Sequence, residues 1–138
     1  MKFFSRDKKS AFEAKEAAQW IAFGPVIFQV ARVLRNTGIL KLIEESGSAG
    51  LTNEEIAEKT KLSEYGVRVL LESGLGLGLV LVNDKKYTLG KIGYFILHDS
   101  LTRTNMDFIH DVNYKGLFYL DESIEKGKAV GLKEFGEW

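Results

Sequence analysis

Three groups of residues have types and spacings that could support chemistry. The first is Glu72-Ser73-Gly74-Leu75-Gly76-Leu77-Gly78, an acidic residue followed by Gly-x-Gly-x-Gly. That is the shape of a loop that cradles S-adenosylmethionine. Such a loop needs a strand before it and a helix after it, so that backbone N–H groups converge on the ligand. Here the residues that follow, 79–82 and then Asn83-Asp84-Lys85-Lys86, read as a hairpin. No helix N-terminus is aimed at a ligand, and the plainer reading is a helix whose small residues admit a neighbouring helix. The second group holds the two histidines, His98 and His110. Asp107 lies one helical turn before His110 and can share its face, whereas the adjacent Asp111 cannot. Two ligands do not close a zinc site, so a surface hydrogen bond or a packing histidine is expected. The third group is Arg68 with Lys85, Lys86 and Lys91, which could contact phosphate.

No Gly-x-Ser-x-Gly, Cys-His pair, P-loop or carboxylate cluster occurs, so nucleophilic, phosphoryl and metal chemistry are not indicated. The 138 residues contain no cysteine, which removes disulfides and thiolate ligands. A cytoplasmic setting is expected. Composition is 45% hydrophobic and 28% charged, with nineteen basic residues balancing nineteen acidic ones, which is globular rather than disordered. The most apolar stretch, 17–34, is interrupted by Gln19, Gln29, Arg32 and Gly24-Pro25. It reads as two buried helices rather than a membrane span.

The elements that must position these groups follow from periodicity and punctuation. Residues 5–22 predict a helix rich in Ala and Glu, ended by Gly24-Pro25. Pro25 suits the first turn of a second helix, which runs to about Asn36. Its Val26, Ile27, Val30, Val33 and Leu34 are helically spaced, and Phe28 and Ala31 widen the apolar band. A helix apolar nearly all round needs cover on several sides, which points to a partner chain. Gly38 precedes a short apolar helix with Ile39, Leu40, Leu42 and Ile43. Thr52 with Glu55 predicts a capping box, and Ser63 caps a further helix carrying Val67, Leu70, Leu71 and Leu75. Strands at 79–82 and 87–89 flank the Asn83–Lys86 turn. Helix, turn, helix, hairpin is the winged-helix order. An amphipathic segment with Ile92, Tyr94, Phe95 and Leu97 follows, then one long helix over 105–126, stopped by Gly127 and weakened at Gly116. The tail ends on Phe135 and Trp138, apolar groups with nothing after them to pack on, so the chain is expected to continue into a further domain.

Residues 51–60 (LTNEEIAEKT), Leu77-Gly78-Leu79 and Tyr87-Thr88-Leu89, with Gly90 where a threonine is usual, are similar to the N-terminal domain of small-molecule O-methyltransferases. Leu120 to Gly127 and Phe135-Gly136 resemble the segment that follows it in that family. The resemblance runs from Gly38 to Trp138 and implies three regions. These are dimerisation helices at 1–36, a winged-helix core at 37–100, and a long helix and tail at 101–138 that lead toward a catalytic domain absent from this chain. It implies a homodimer through the N-terminal helices and methyl transfer to a small-molecule acceptor by the full-length protein. It also implies S-adenosylmethionine as cofactor of that protein, with no cofactor or catalytic residue in these 138 residues. The dimer-interface candidates are Trp20, Phe23, Ile27, Phe28 and Val30; Asn113, Tyr114 and Phe118 are candidates for a substrate wall. The expected fold is mainly α, a winged-helix-like domain with a two-stranded wing.

The alternative is a winged-helix DNA-binding transcription regulator. Over 52–78 five glutamates face three basic residues, Lys59, Lys61 and Arg68, a net of minus two where phosphate neutralisation needs the opposite sign. Nucleic acid is therefore the disfavoured partner.

Overall fold

The computed structural model describes residues 4–135. Expectations placed on Gly136 and Trp138 lie outside those residues. The described chain is mainly α, with eight α-helices and one two-stranded antiparallel sheet. This is compatible with a winged-helix-like domain.

Helix α1 spans Ala11–Ala22, six residues shorter at its start than the sequence suggests. Ser10 explains the difference. Its hydroxyl accepts from the Glu13 N–H while the Glu13 carboxylate accepts from the Ser10 N–H, and this reciprocal capping box fixes the first turn. Helix α2 spans Gly24–Asn36 with Pro25 in its first turn, and it bends from α1 by 66°. No single helix among the described residues is long and apolar enough to cross a membrane.

Helices α3 (Ile39–Glu45), α4 (Asn53–Thr60) and α5 (Glu64–Gly76) follow. Thr52 caps α4 by accepting from the Glu55 N–H at 3.2 Å, and Ser63 caps α5 by accepting from the Gly66 N–H at 3.0 Å. Strands β1 (Val80–Asn83) and β2 (Lys86–Leu89) pair from Val80↔Leu89 to Asn83↔Lys86. The loop proper is therefore only Asp84-Lys85, both at positive φ, as a primed two-residue hairpin turn requires. An isolated bridge from Leu51 to Tyr87 ties the hairpin to the segment before α4.

The core lies among these elements. Leu34, Ile39, Leu40, Ile43, Ile56, Val67, Leu71, Leu79 and Val80 are fully buried. Each contributes about 1.5–3 kcal/mol by leaving water. All come from α2 through β1; α1 contributes no buried residue.

Helix α6 (Lys91–His98) leads to a region where the structure departs from the expected single long helix. Helix α7 starts at Ser100, five residues early, because Asp99 caps it. After Phe108 the chain widens into a π-helical turn at Ile109–Asn113, then tightens to a 3-10 turn at Gly116–Tyr119. It resumes as α8, Leu120–Lys126, closed by Gly127 at φ 63. Gly116, the weak point in the pattern, is where the pitch changes.

The Asp99 carboxylate accepts from the Thr102 hydroxyl at 2.6 Å and the Thr102 N–H at 2.8 Å. The hydroxyl first, then the backbone, holds its carboxyl below the ordinary value of 3.8. A carboxyl lowered in the folded state stabilises it above the ordinary value, and that gain is lost as pH falls through the lowered one. Asp99→Ala is therefore expected to lower the thermal midpoint at pH 7. The gap from the parent should narrow in melts recorded below pH 3.8. A gap that stays constant with pH would show that the charge takes no part.

Candidate functional site

Helix α1 carries its apolar side chains uncovered. Phe12 is 76% exposed and Ile21 80%, and Trp20 and Phe23 are also open. A twelve-residue helix is marginal in water on its own. With none of its side chains buried, packing within this chain does not supply the missing stability. Its C-terminal end turns inward to form one wall of an apolar groove of about 330 Å³. Trp20 comes from α1, Phe23 from the cap between α1 and α2, Val26, Ile27 and Val30 from α2, and Gly76 and Leu77 from the end of α5. Nothing lies within 4 Å of where a side chain on Gly76 would begin, so the groove floor is open there.

Four of the five sequence candidates for the interface, Trp20, Phe23, Ile27 and Val30, line this groove. Phe28 lies elsewhere, stacking on Tyr114 with ring centroids 5.5 Å apart and 20° between planes. The three candidates for a substrate wall also separate. Tyr114 is half-buried, and its hydroxyl donates to the Pro25 carbonyl at 3.1 Å. Asn113 is half-buried at the end of the π turn. Phe118 is 85% exposed, meeting Tyr119 edge-on.

The glycine-rich run is helical. Helix α5 continues through Gly76, and buried Gly74 packs where a Cβ would sit 3.1 Å from Leu34 Cδ1 and 3.3 Å from Val80 Cγ2. Small residues here let α2 approach α5. The run is followed by the hairpin, so it does not fit S-adenosylmethionine.

The histidines take partners other than the aspartates. His98 Nε2 meets the Glu44 carboxylate at 2.5 Å, and His110 Nδ1 meets the Gln29 side-chain amide at 3.1 Å. Asp107, which the spacing allowed beside His110, goes instead to Arg35 at 2.6 Å. Among the described residues no group of three or more possible ligands could hold a metal ion. Near the second helix of the helix–turn–helix order, burial first, then the carboxylates of Glu72 and Glu54, raise the Tyr87 phenol above 10.0, with Arg68 opposing.

The sequence reading missed a polar seam between α2 and 107–114. Gln29, Arg32 and Arg35 recur every three residues along an otherwise apolar helix, and that spacing was the available signal. The Arg35 side chain is 6% exposed and donates to Asn36, Met106 and Asp107. Removing one partner of such a pair leaves a buried charge, whereas replacing the charge itself with an apolar group is far cheaper. Asp107→Ala is expected to cost about 2 kcal/mol, discounted because water reaches Asp107, and Arg35→Met in that background to restore most of it. Urea unfolding midpoints measure both. No recovery in the double variant would mean that the guanidinium is not stranded.

Comparison with known proteins bears on the same surfaces. The Dimerisation2-like domain matches residues 15–87, more than half of the chain. The chain belongs to this family. Within this Dimerisation2-like domain protein, the matched span takes in the groove-lining residues of α1, α2 and α5. The L-tyrosine C(3)-methyltransferase of Streptomyces lavendulae is 27% identical over 121 residues, 86% of this chain and 32% of that protein. The apo structure of the S-adenosylmethionine-dependent methyltransferase SibL superposes with a TM-score of 0.74 at 27% identity, covering 88% of this chain and 36% of SibL. Human N-acetylserotonin methyltransferase, at 20% identity and a TM-score of 0.70 over 98% of this chain and 39% of its own, shares the fold. The chain thus spans about a third of the length of the curated relative it matches. Nothing found supports the nucleic-acid alternative.

Proposed function

We propose that this Dimerisation2-like domain is the dimerisation and substrate-lid portion of an S-adenosylmethionine-dependent methyltransferase. Two copies would interlock through α1 and α2. The observation that carries this reading is α1, a helix with no buried residue that, with its cap residue Phe23, presents Phe12, Trp20, Ile21 and Phe23 to solvent. An exposed apolar surface of that kind marks an interaction site, and a second copy brings the same surface for a self-complementary contact.

Methyl transfer to a small-molecule acceptor belongs, in this reading, to a longer protein that contains the chain. Residues 72–78 form a helix end and not a nucleotide loop, so the nucleoside part of the cofactor is held outside these residues. Asn113, Tyr114 and Phe118 are assigned to the acceptor wall, with Phe118 the most available for contact. The 138-residue chain is expected to sediment as a dimer. A longer protein lacking residues 11–22, which contribute nothing to the core, is expected to bind the cofactor while losing both dimerisation and turnover. A monomer by sedimentation at micromolar concentration would end the dimer reading.

A further inference from the structure

Beside the seam described above, an open polar cavity of about 350 Å³ lies between α2 and α7, lined by Arg32, Arg35, Asn36, Arg103, Asp107 and Asp111. Arg35 and Asp107 neutralise one another. The other three charges do not. Among the described residues none of Arg32, Arg103 and Asp111 has an ion-pair partner, and Arg103 spends one N–H on the Leu97 carbonyl at 3.1 Å. Two guanidiniums and one carboxylate thus face a common space without pairing with each other.

The backbone places them there. Arg103, Asp107 and Asp111 are spaced by four, and in a uniform α-helix the third would rotate progressively off the line. The π turn at Ile109–Asn113 has fewer degrees of rotation per residue, which holds Asp111 in line with Asp107. Single π turns inside helices recur at functional sites. A second contact fixes this turn, since Gln29 meets His110 at 3.1 Å from α2.

We propose that this cavity binds the zwitterionic end of an α-amino acid. Arg32 and Arg103 take the carboxylate and Asp111 takes the ammonium group. A guanidinium presents paired N–H donors matched to a carboxylate, and each charge-assisted bond is stronger than a neutral one. A simple anion would leave Asp111 opposed to it, and a simple cation would leave the two arginines so. The inference does not rest on the methyltransferase reading, because binding is measured on this chain itself.

The test is a titration of the isotopically labelled 138-residue chain with L-phenylalanine, followed by amide resonances over 103–111. N-acetyl-L-phenylalanine, which lacks the ammonium, and L-phenylalanine amide, which lacks the carboxylate, are the comparison ligands. Saturable shifts with the zwitterion are expected, and about tenfold weaker binding for each blocked form, the size of one charged hydrogen bond. Arg32→Gln should weaken the zwitterion and the N-acetyl form while leaving the amide unchanged. Asp111→Asn should remove the preference for a free ammonium. Neither residue is ion-paired, so circular dichroism should match the parent for both. S-adenosylmethionine, whose methionyl end carries the same two charges, forms a separate arm. Saturation by it at the same resonances, more tightly than by phenylalanine, would support the site and identify the cofactor's amino-acid end as its source. Equal affinity for all three phenylalanine compounds, shifts reproduced by sodium acetate alone, or no saturable shift would each overturn the proposal.

Discussion

Trp20→Asp is expected to convert a dimer of the 138-residue chain into a monomer at micromolar concentration. Trp20 stands on the wall of the apolar groove and is 45% exposed within one chain, so part of its indole already rests on its neighbours and the rest is available to a partner. A two-fold contact uses each residue twice. Losing about 2 kcal/mol of apolar burial at each of two copies raises the dissociation constant about a thousandfold. A carboxylate forced toward the groove adds a desolvation penalty in the same direction. The fold should survive, because α1 contributes nothing to the core and the capping box at Ser10 is untouched. Sedimentation equilibrium with parallel circular dichroism separates dissociation from unfolding. Leu81→Asp, on the hairpin and away from the groove, is the control and should remain dimeric. Phe28→Asp should behave differently from Trp20→Asp. It breaks the stack on Tyr114 and loosens the π turn, so its effect belongs in stability rather than in association. If Leu81→Asp dissociates the dimer as readily as Trp20→Asp, the interface lies somewhere other than the groove.

That contrast shows where the sequence was legible. Punctuation fixed most of the elements: Gly24-Pro25 separates α1 from α2, Ser63 starts α5, and Asn83 to Lys86 bounds the hairpin turn. These signals act over three or four residues, and tertiary contacts had little room to override them. Surplus apolarity on α2 also carried information, since Val26 and Ile27 line the groove beside Val30, which packs against the core as well. Phe28 was assigned to the same surface because periodicity alone cannot say which of two covers a residue receives. Only the return of Tyr114 from 86 residues later decided it.

The region after Asp99 was the least legible, for a related reason. Its spacing mixes steps of three and four, which a single helix satisfies well enough. Distant anchors hold the backbone on either side of and within the π turn. Asp107 is drawn to Arg35, His110 to Gln29 and the Tyr114 hydroxyl to Pro25, all of them on α2. A continuous helix would have to give up the register of some of these contacts. The polar cavity was missed for the same cause, since Arg32 and Arg103 are 71 residues apart in sequence and only the packing of α7 on α2 brings them to one space.

Leu34 and Gly74 supply the second large effect, and here two substitutions are worth more than one. Leu34 is fully buried, and Leu34→Ala should cost about 3 kcal/mol from lost burial and the cavity left behind. Gly74→Ala alone sets two influences against each other. Alanine favours a helix over glycine by about 1 kcal/mol. Its methyl, however, would press on Leu34 Cδ1 at 3.1 Å and on Val80 Cγ2 at 3.3 Å, tighter than ordinary contact. Overpacking of that kind costs about 1–3 kcal/mol, so a small net loss is expected. Combined, the two changes relieve one another. The alanine methyl at position 74 enters space vacated by the leucine, and only the 3.3 Å contact with Val80 still opposes the helix-propensity gain. The double variant should therefore be more stable than the sum of the single effects predicts, by about 1–2 kcal/mol. Urea unfolding reads all four corners of the cycle, at one fixed protein concentration because dimerisation couples to stability. Strict additivity would mean that α2 and α5 do not meet at this pair. The glycine-rich run would then need a reason other than close helix packing for its small residues.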